Sequence, residues 1–331
     1  MFPKKIYYEP KALEYPLGKE LREKFSDRDF IEIENHNNIP EMREKQNSEF
    51  ASMKLNLILG TRKTHKYVPN FKTSDFLVPW TSSGCSAMCL YCYLVCNYNK
   101  CAYLRVFTNR EQMCDKLTTF SRKSATPLTF EIGSNSDLVA ENVITGNLKW
   151  TIEEFAKTGR GKITFPTKFH MVDDLLNLEH KGKTIFRMSV NPEEIIGRIE
   201  LGTSTLDERI DALNKMADAD YIIGLLIAPV ILVDNWKALY IELLDKLEAQ
   251  LSAKVKDKMF IEVIFMTYSF VHKAINVEAF PHAPELYSKE KMVGRGRGKY
   301  WYRQPLRDDG EAFLREEISK RFPDNEIVYI C

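Results

Sequence analysis

Tyr221-Ile222-Ile223-Gly224-Leu225-Leu226-Ile227-Ala228 is apolar almost end to end, and a short run of this kind suits a strand covered on both faces. Residues 76–81, 128–133, 163–168, 185–190 and 260–266 are further short runs rich in β-branched and aromatic residues. Between them, at 111–122, 150–157, 171–178, 204–217 and 236–251, apolar residues recur three and four apart, the spacing of amphipathic helices. Strand and helix in alternation make a parallel sheet with helical crossovers. A complete eight-stranded barrel needs about 250 residues of its own, so the expected fold is α/β, a partial (β/α)6 barrel of the TIM type. Its ligands belong at the carboxyl ends of the strands, where the loops converge.

The flanks read differently. Residues 1–75, with a helical stretch at 11–25 and a strand at 55–59, are expected to form an N-terminal extension packed on a barrel that spans 76–268. Residues 269–331 pass through a polar, Gly- and Arg-rich segment to a helix near 311–321. The chain of 331 residues, 44% of them hydrophobic, is long enough to bury a full core. No stretch approaches the roughly 18 apolar residues that cross a bilayer, and residues 1–10 lead into no signal-like apolar run. A cytoplasmic protein without a membrane partner is expected. A net charge of +1 excludes molecule-wide attraction for nucleic acid, so any such affinity must come from a local patch.

Five of the seven cysteines, Cys85, Cys89, Cys92, Cys96 and Cys101, crowd one short segment. Such crowding reads as metal binding rather than as disulfides stapling distant parts of a chain. Gly84-Cys85-Ser86-Ala87-Met88-Cys89-Leu90-Tyr91-Cys92-Tyr93 directly follows the first expected barrel strand. Three thiolates from one tight loop can hold three corners of an iron–sulfur cubane and leave the fourth iron open to chelate a further molecule. The residues alone admit a second reading, a zinc knuckle with Cys96, Cys101 or His65 as fourth ligand. Structural zinc sites, however, more often pair two-cysteine hooks from separate turns.

Three cysteines separated by three and then two residues, with an aromatic just before the third, resemble the motif of radical S-adenosylmethionine (SAM) enzymes. The resemblance sharpens to one family, spore photoproduct lyase, and covers most of the chain. It begins at residues 8–18 (YEPKALEYPLG) and continues through Cys92-Tyr93-Leu94, Thr167-Lys168-Phe169-His170, Gly182-Lys183-Thr184, Gly202-Thr203-Ser204, Ala228-Pro229 and Gly298-Lys299-Tyr300. It implies a 4Fe–4S cluster on Cys85, Cys89 and Cys92, and SAM held by Tyr93, Ser136, Lys168, Ser189 and Ala228. A lysine can pair with the methionine carboxylate, hydroxyls can bind carboxylate or ribose oxygens, and a tyrosine face can pack on adenine.

The activity implied is repair of the thymine dimer spore photoproduct in DNA, in the cytoplasm of a germinating spore-former, by a monomer fed electrons by a flavodoxin- or ferredoxin-type donor. In that family an adenosyl radical takes hydrogen from C6 of the saturated ring and the methylene bridge breaks. A cysteine thiol then quenches the thymine radical, and two tyrosines, matched by Tyr91 and Tyr93, help return the radical. The quenching cysteine is matched here by Ser134, whose O–H bond is too strong for that duty. The sequence therefore points to Cys96 as hydrogen donor, with Cys101 second. It also leaves open a radical SAM enzyme acting on another DNA or nucleotide substrate, and a nonenzymatic zinc-dependent DNA-binding protein.

Residues 286–303 read LYSKEKMVGRGRGKYWYR, with six basic residues against the single acid Glu290. Arg295, Arg297 and Lys299 are expected to neutralise phosphates, and Tyr300, Trp301 and Tyr302 to stack on or wedge beside bases. Arg62, Lys63, His65 and Lys66 form a smaller basic cluster that could line the same groove.

Overall fold

The computed structural model describes residues 2–97 and 103–331. Phe76–Leu77, Thr129–Glu131, Lys162–Thr167, Thr184–Val190, Ile222–Val230 and Phe260–Phe265 lie side by side in chain order, each parallel to the next. This is the expected curled half-barrel. Every residue of Thr184–Val190 is buried, the polar Arg187 and Ser189 included, as a strand covered on both faces requires. Two further strands extend the sheet to eight: Val68–Pro69 runs antiparallel on the first edge, and Ile327–Ile330 runs parallel on the last.

Two of the crossover helices start on sequence-encoded caps. Thr205 and Glu208 form a reciprocal capping box at the head of Leu206–Asp218. Asp137 accepts from the Val139 and Ala140 amides at the head of Leu138–Thr145. The apolar faces of both helices join the central core.

The boundaries of two expected elements move. Pairing of the first strand stops at Leu77 rather than continuing to Thr81, because the chain turns away through Pro79, which has no N–H, and Ser82–Ser83 joins a different sheet. The helix expected at 171–178 is a single turn, Asp173–Leu175. The Leu175 carbonyl is taken by the Tyr221 hydroxyl at 2.7 Å, so no further helical turn is built on it.

The N-terminal residues build a five-stranded sheet in the order Asp29–Glu32, Lys5–Tyr8, Asn56–Gly60, Leu104–Phe107, Ser82–Ser83, parallel except for the last pair. The helical stretch expected at 11–25 divides at Pro16 into a short Pro10–Glu14 turn and the helix Pro16–Lys24. Because Ser82–Ser83 and Leu104–Phe107 belong to this sheet, the cysteine loop leaves from it and returns to it while leaning on the barrel.

The open edges of the half-barrel meet through side chains. The Thr73 hydroxyl, just before the first strand, donates to Glu262 on the sixth and accepts from Arg187 Nη1 at 3.1 Å. Lys72 Nζ lies 2.9 Å from Cys331 Sγ and 4.8 Å from the centre of the Tyr329 ring. Arg187, buried between them, pairs with Glu131 at 2.6 Å and with Glu262 at 3.1 Å. Glu262 also accepts from the Tyr329 hydroxyl at 2.7 Å.

Candidate active site

The cysteine loop is held by backbone contacts from three directions. Gly84, at φ 82° in the left-handed region that favours glycine, donates its amide to Asn135 O at 2.8 Å. Met88 N and Leu90 N donate to Leu201 O and Ile199 O at 2.8 and 3.0 Å. Lys54 Nζ binds Cys85 O at 2.6 Å, and Asn276 Nδ2 binds Leu90 O at 2.8 Å. The ring of His272 completes the clamp: its Nδ1 accepts from Ser269 N, so Nε2 donates to Cys92 O at 2.9 Å. Burial holds this imidazole below its ordinary pKa and thus neutral.

Cys85, Cys89 and Cys92 line one cavity of about 570 Å³ together with Tyr91, Tyr93 and Ser134. Ser136, Lys168, Ser189 and Ala228, from the carboxyl-terminal side of four successive strands, line the same cavity. Every residue that the sequence marked for cluster or SAM binding is therefore gathered in one place. Burial pushes the Cys85 thiol up to about 12 and raises Cys89 as well. Without a metal these buried sulfurs are neutral thiols, and taking up iron must expel their protons. Among the described residues no group of three His, Cys, Asp or Glu side chains stands ready-clustered for a metal ion. The donor set itself, three thiols from one loop, fits an iron–sulfur cluster.

Lys168 Nζ makes 2.7 Å contacts to Ser189 Oγ, the Ala228 carbonyl and Glu200 Oε1. Ser189 Oγ donates to the same Ala228 carbonyl at 2.7 Å. Glu200 anchors the group: it also accepts from Arg209 Nη2 and Asn191 Nδ2, each at 2.7 Å, and from the Tyr91 hydroxyl. Burial alone would raise its carboxyl, but the Lys168 and Arg209 cations and the bonds from Lys168 and Tyr91 hold it down at about 2. Tyr91 is raised well above the ordinary phenol range, first by burial and then by Glu200, so its O–H stays protonated. The result is a fixed cation and two oxygen-bearing partners beside three sulfurs.

Sequence reasoning did not find Glu200, Arg209 or the clamp formed by Lys54, His272 and Asn276. Glu200 carried one signal, a charge set between Ile199 and Leu201 just before Gly202-Thr203-Ser204. Ser136 stands next to Asp137, the cap of Leu138–Thr145, and its Oγ accepts from Ser82 Oγ at 2.8 Å. The Ser134 carbonyl accepts the Tyr93 hydroxyl. The side chain of Cys96 and all of Cys101 lie outside the described residues.

The basic segment forms a hairpin, Met292–Gly296 with Lys299–Tyr302, against Tyr268–Ser269. Arg295, Arg297 and Lys299 are exposed there, and Arg295 lies 4.1 Å over the Trp301 ring. Tyr300 is half-buried against Phe270 and Tyr287. Tyr302 departs from expectation: it is buried, with its oxygen accepting from Leu232 N at 2.9 Å, and has no face to offer a base. Arg62 is likewise drawn inward, bonded to Trp80 O at 3.0 Å and lying 3.9 Å over the Phe107 ring.

A family model described as spore photoproduct lyase matches residues 1–331. The chain belongs to the spore photoproduct lyase family. The spore photoproduct lyase of Bacillus subtilis (strain 168) is 34% identical, with 99% of this chain and 98% of the relative covered. That of Clostridium acetobutylicum is 30% identical over the same shares. A solved spore photoproduct lyase complexed with dinucleoside spore photoproduct superposes with a TM-score of 0.92 at 31% identity, covering 99% of each chain. A variant with bound AdoMet and the same dinucleoside matches equally well, covering 100% of this chain and 99% of that one. The half-barrel is thus the spore photoproduct lyase fold over the whole chain.

Proposed function

We propose that this protein is a radical SAM lyase that repairs spore photoproduct in double-stranded DNA to two thymines. The observation that carries the reading is the convergence of Cys85, Cys89 and Cys92 with Lys168, Ser189 and Ala228 on one cavity, in a chain that belongs to the lyase family along its full length. A 4Fe–4S cluster and SAM, when bound, supply one-electron chemistry that no protein side chain offers.

The chain's own residues divide the remaining work. Cys85, Cys89 and Cys92 would hold the cluster. Lys168, fixed by Glu200, presents a cation to a carboxylate, while Ser136, Ser189 and the Ala228 carbonyl offer polar partners to the rest of SAM. Tyr93 gives its ring to adenine, and Tyr91 and Tyr93 carry phenolic hydrogens beside the site. Ser134 cannot give up a hydrogen atom as a thiol would, and Cys96 is the donor we assign. Arg295, Arg297 and Lys299 meet phosphates, with Trp301 and Tyr300 beside them. No helix among the described residues is long and apolar enough to cross a membrane. We assign the protein to the cytoplasm of the spore core, as a monomer reduced by a flavodoxin- or ferredoxin-type partner.

Anaerobic reconstitution followed by incubation with SAM, a reductant and dinucleoside spore photoproduct tests the reading. Iron binding and thymine release are expected, both lost in C85A, C89A or C92A. A colourless, zinc-replete protein would replace the lyase with a zinc-dependent DNA-binding protein. Iron binding and SAM cleavage without thymine would point to another nucleotide substrate. In C96A, unchanged clean repair would remove Cys96 from the mechanism.

A further inference from the structure

Phe71 is 95% exposed, the highest value for any large hydrophobic side chain among the described residues. Its backbone is nevertheless fixed. Residues 70–75 connect Val68–Pro69 to Phe76–Leu77 as a closed turn, with Asn70 N donating to Asp75 O at 2.8 Å and Asn70 Nδ2 to Ser74 Oγ at 2.9 Å. Asp75 is in turn tied to Thr129 through Asp75 N to Thr129 O at 2.9 Å and Thr129 N to Asp75 Oδ2 at 2.7 Å. Lys72 and Thr73 are bound across to the far edge of the half-barrel, as described above.

A single exposed apolar residue on a surface is ordinary. What sets Phe71 apart is its place. Asn70, Lys72 and Thr73, its neighbours on both sides, all line the cavity of the cysteine loop, which sets the turn that carries Phe71 at its rim. Two other aromatics stand out there or close by. Tyr93, 54% exposed, lines the same cavity, and Phe270, 57% exposed, packs on Tyr300 of the basic hairpin. The hairpin itself starts beside the cavity, since the lining residue Thr267 is followed directly by Tyr268 of its sheet. The turn that carries Phe71 and the sheet that carries the exposed cations thus adjoin one opening.

A crosslinked dinucleotide can enter that opening from a duplex only after it leaves the base stack, and the gap it leaves must be filled or the duplex recloses. Proteins fill such gaps with an apolar side chain carried on a firm backbone. We propose that Phe71 is the wedge that occupies the space vacated by the lesion, stacking on the flanking or opposing base. This rests on the lyase reading above and adds a residue that acts on duplex DNA rather than on the chemistry.

The test compares kcat/KM for the lesion in a duplex with kcat/KM for the free dinucleoside lesion, measured on the reconstituted full chain. The expected result is that F71A lowers the duplex-to-dinucleoside ratio about tenfold, the scale of one lost base–aromatic stack, and that F71W restores it. A second readout needs no turnover. A 2-aminopurine set opposite the lesion should be brighter in saturated complexes of F71A than in those of the unaltered protein, where a stacked ring quenches it. An unchanged ratio and unchanged fluorescence would overturn the wedge alone. An unaltered protein that repairs neither substrate would overturn the lyase reading and the wedge with it.

Discussion

Glu200 and Glu141 are both fully buried carboxylates, 1% and 0% exposed, yet their surroundings drive them in opposite directions. Burial raises each. At Glu200 two cations, Lys168 and Arg209, reverse it and hold the group ionised at about 2. Glu141 is met by neutral donors, the Thr145 hydroxyl at 2.8 Å and Asn147 Nδ2 at 2.7 Å, and only more distantly by Arg110, so it stays raised to about 7. Burial therefore sets the size of the penalty and the charge of the neighbours decides whether it is overcome. The two sites differ in use accordingly. Glu200 fixes a cation at the cavity, whereas Glu141 joins the helix Leu138–Thr145 to the start of the next one.

Removing Glu200 should have the largest effect. In E200A, Arg209 and Lys168 lose their counter-charge, and Arg209 has no exposure through which water could replace it. A loss of about 3–5 kcal/mol is expected in urea unfolding; a loss below about 1 kcal/mol would mean that Glu200 is not the anchor of this group.

Glu141 predicts a pH signature of the opposite sense. Its folded pKa lies above the unfolded value, so the unfolded chain gives up its proton first. Stability falls as pH climbs from about 4.5 through about 7, by on the order of 3 kcal/mol in all. Unfolding of E141Q followed between pH 5 and pH 8 should show a flatter profile than the unaltered protein. Equal slopes would show that the neutral donors do not leave Glu141 protonated.

Tyr91 offers the finest adjustment. Replacing it with phenylalanine removes one hydrogen bond to the Glu200 carboxylate at a cost of about 1–3 kcal/mol. Glu200's stabilisation, present above pH 4.5 and lost as pH falls towards 2, should then begin to fail at a higher pH. Acid unfolding of Y91F that coincides with that of the unaltered protein would take Tyr91 out of the network.

Much of the half-barrel was legible because both faces of a central parallel strand are covered, and its sequence says so directly, as in Ile222–Val230. The edge was less legible: Phe76–Leu77 is short because Pro79 and the pull of a second sheet end its pairing, neither of which periodicity records. The cysteine loop was readable because its chemistry needs only local spacing. The groups that hold it were not, since Lys54, Ile199, Leu201, His272 and Asn276 approach from 31 to 186 residues away. Glu200 likewise acquires its meaning only when Lys168 and Arg209 fold onto it. Tyr302 looked like its half-buried neighbours Tyr300 and Trp301 until the end of the hairpin carried it into the core, where it bonds the Leu232 amide.

The bonds that Lys72 and Thr73 make to Cys331, Tyr329 and Glu262 give the half-barrel a seam. Everywhere else around the sheet, neighbouring strands are joined by backbone ladders, and separating them would strand amides and carbonyls. Along this one line the wall is stitched by side chains instead, with the Arg187–Glu262 pair buried behind them. The same bonds brace the turn that carries Phe71, so that the line closing the wall also holds this aromatic's backbone in place beside the cavity.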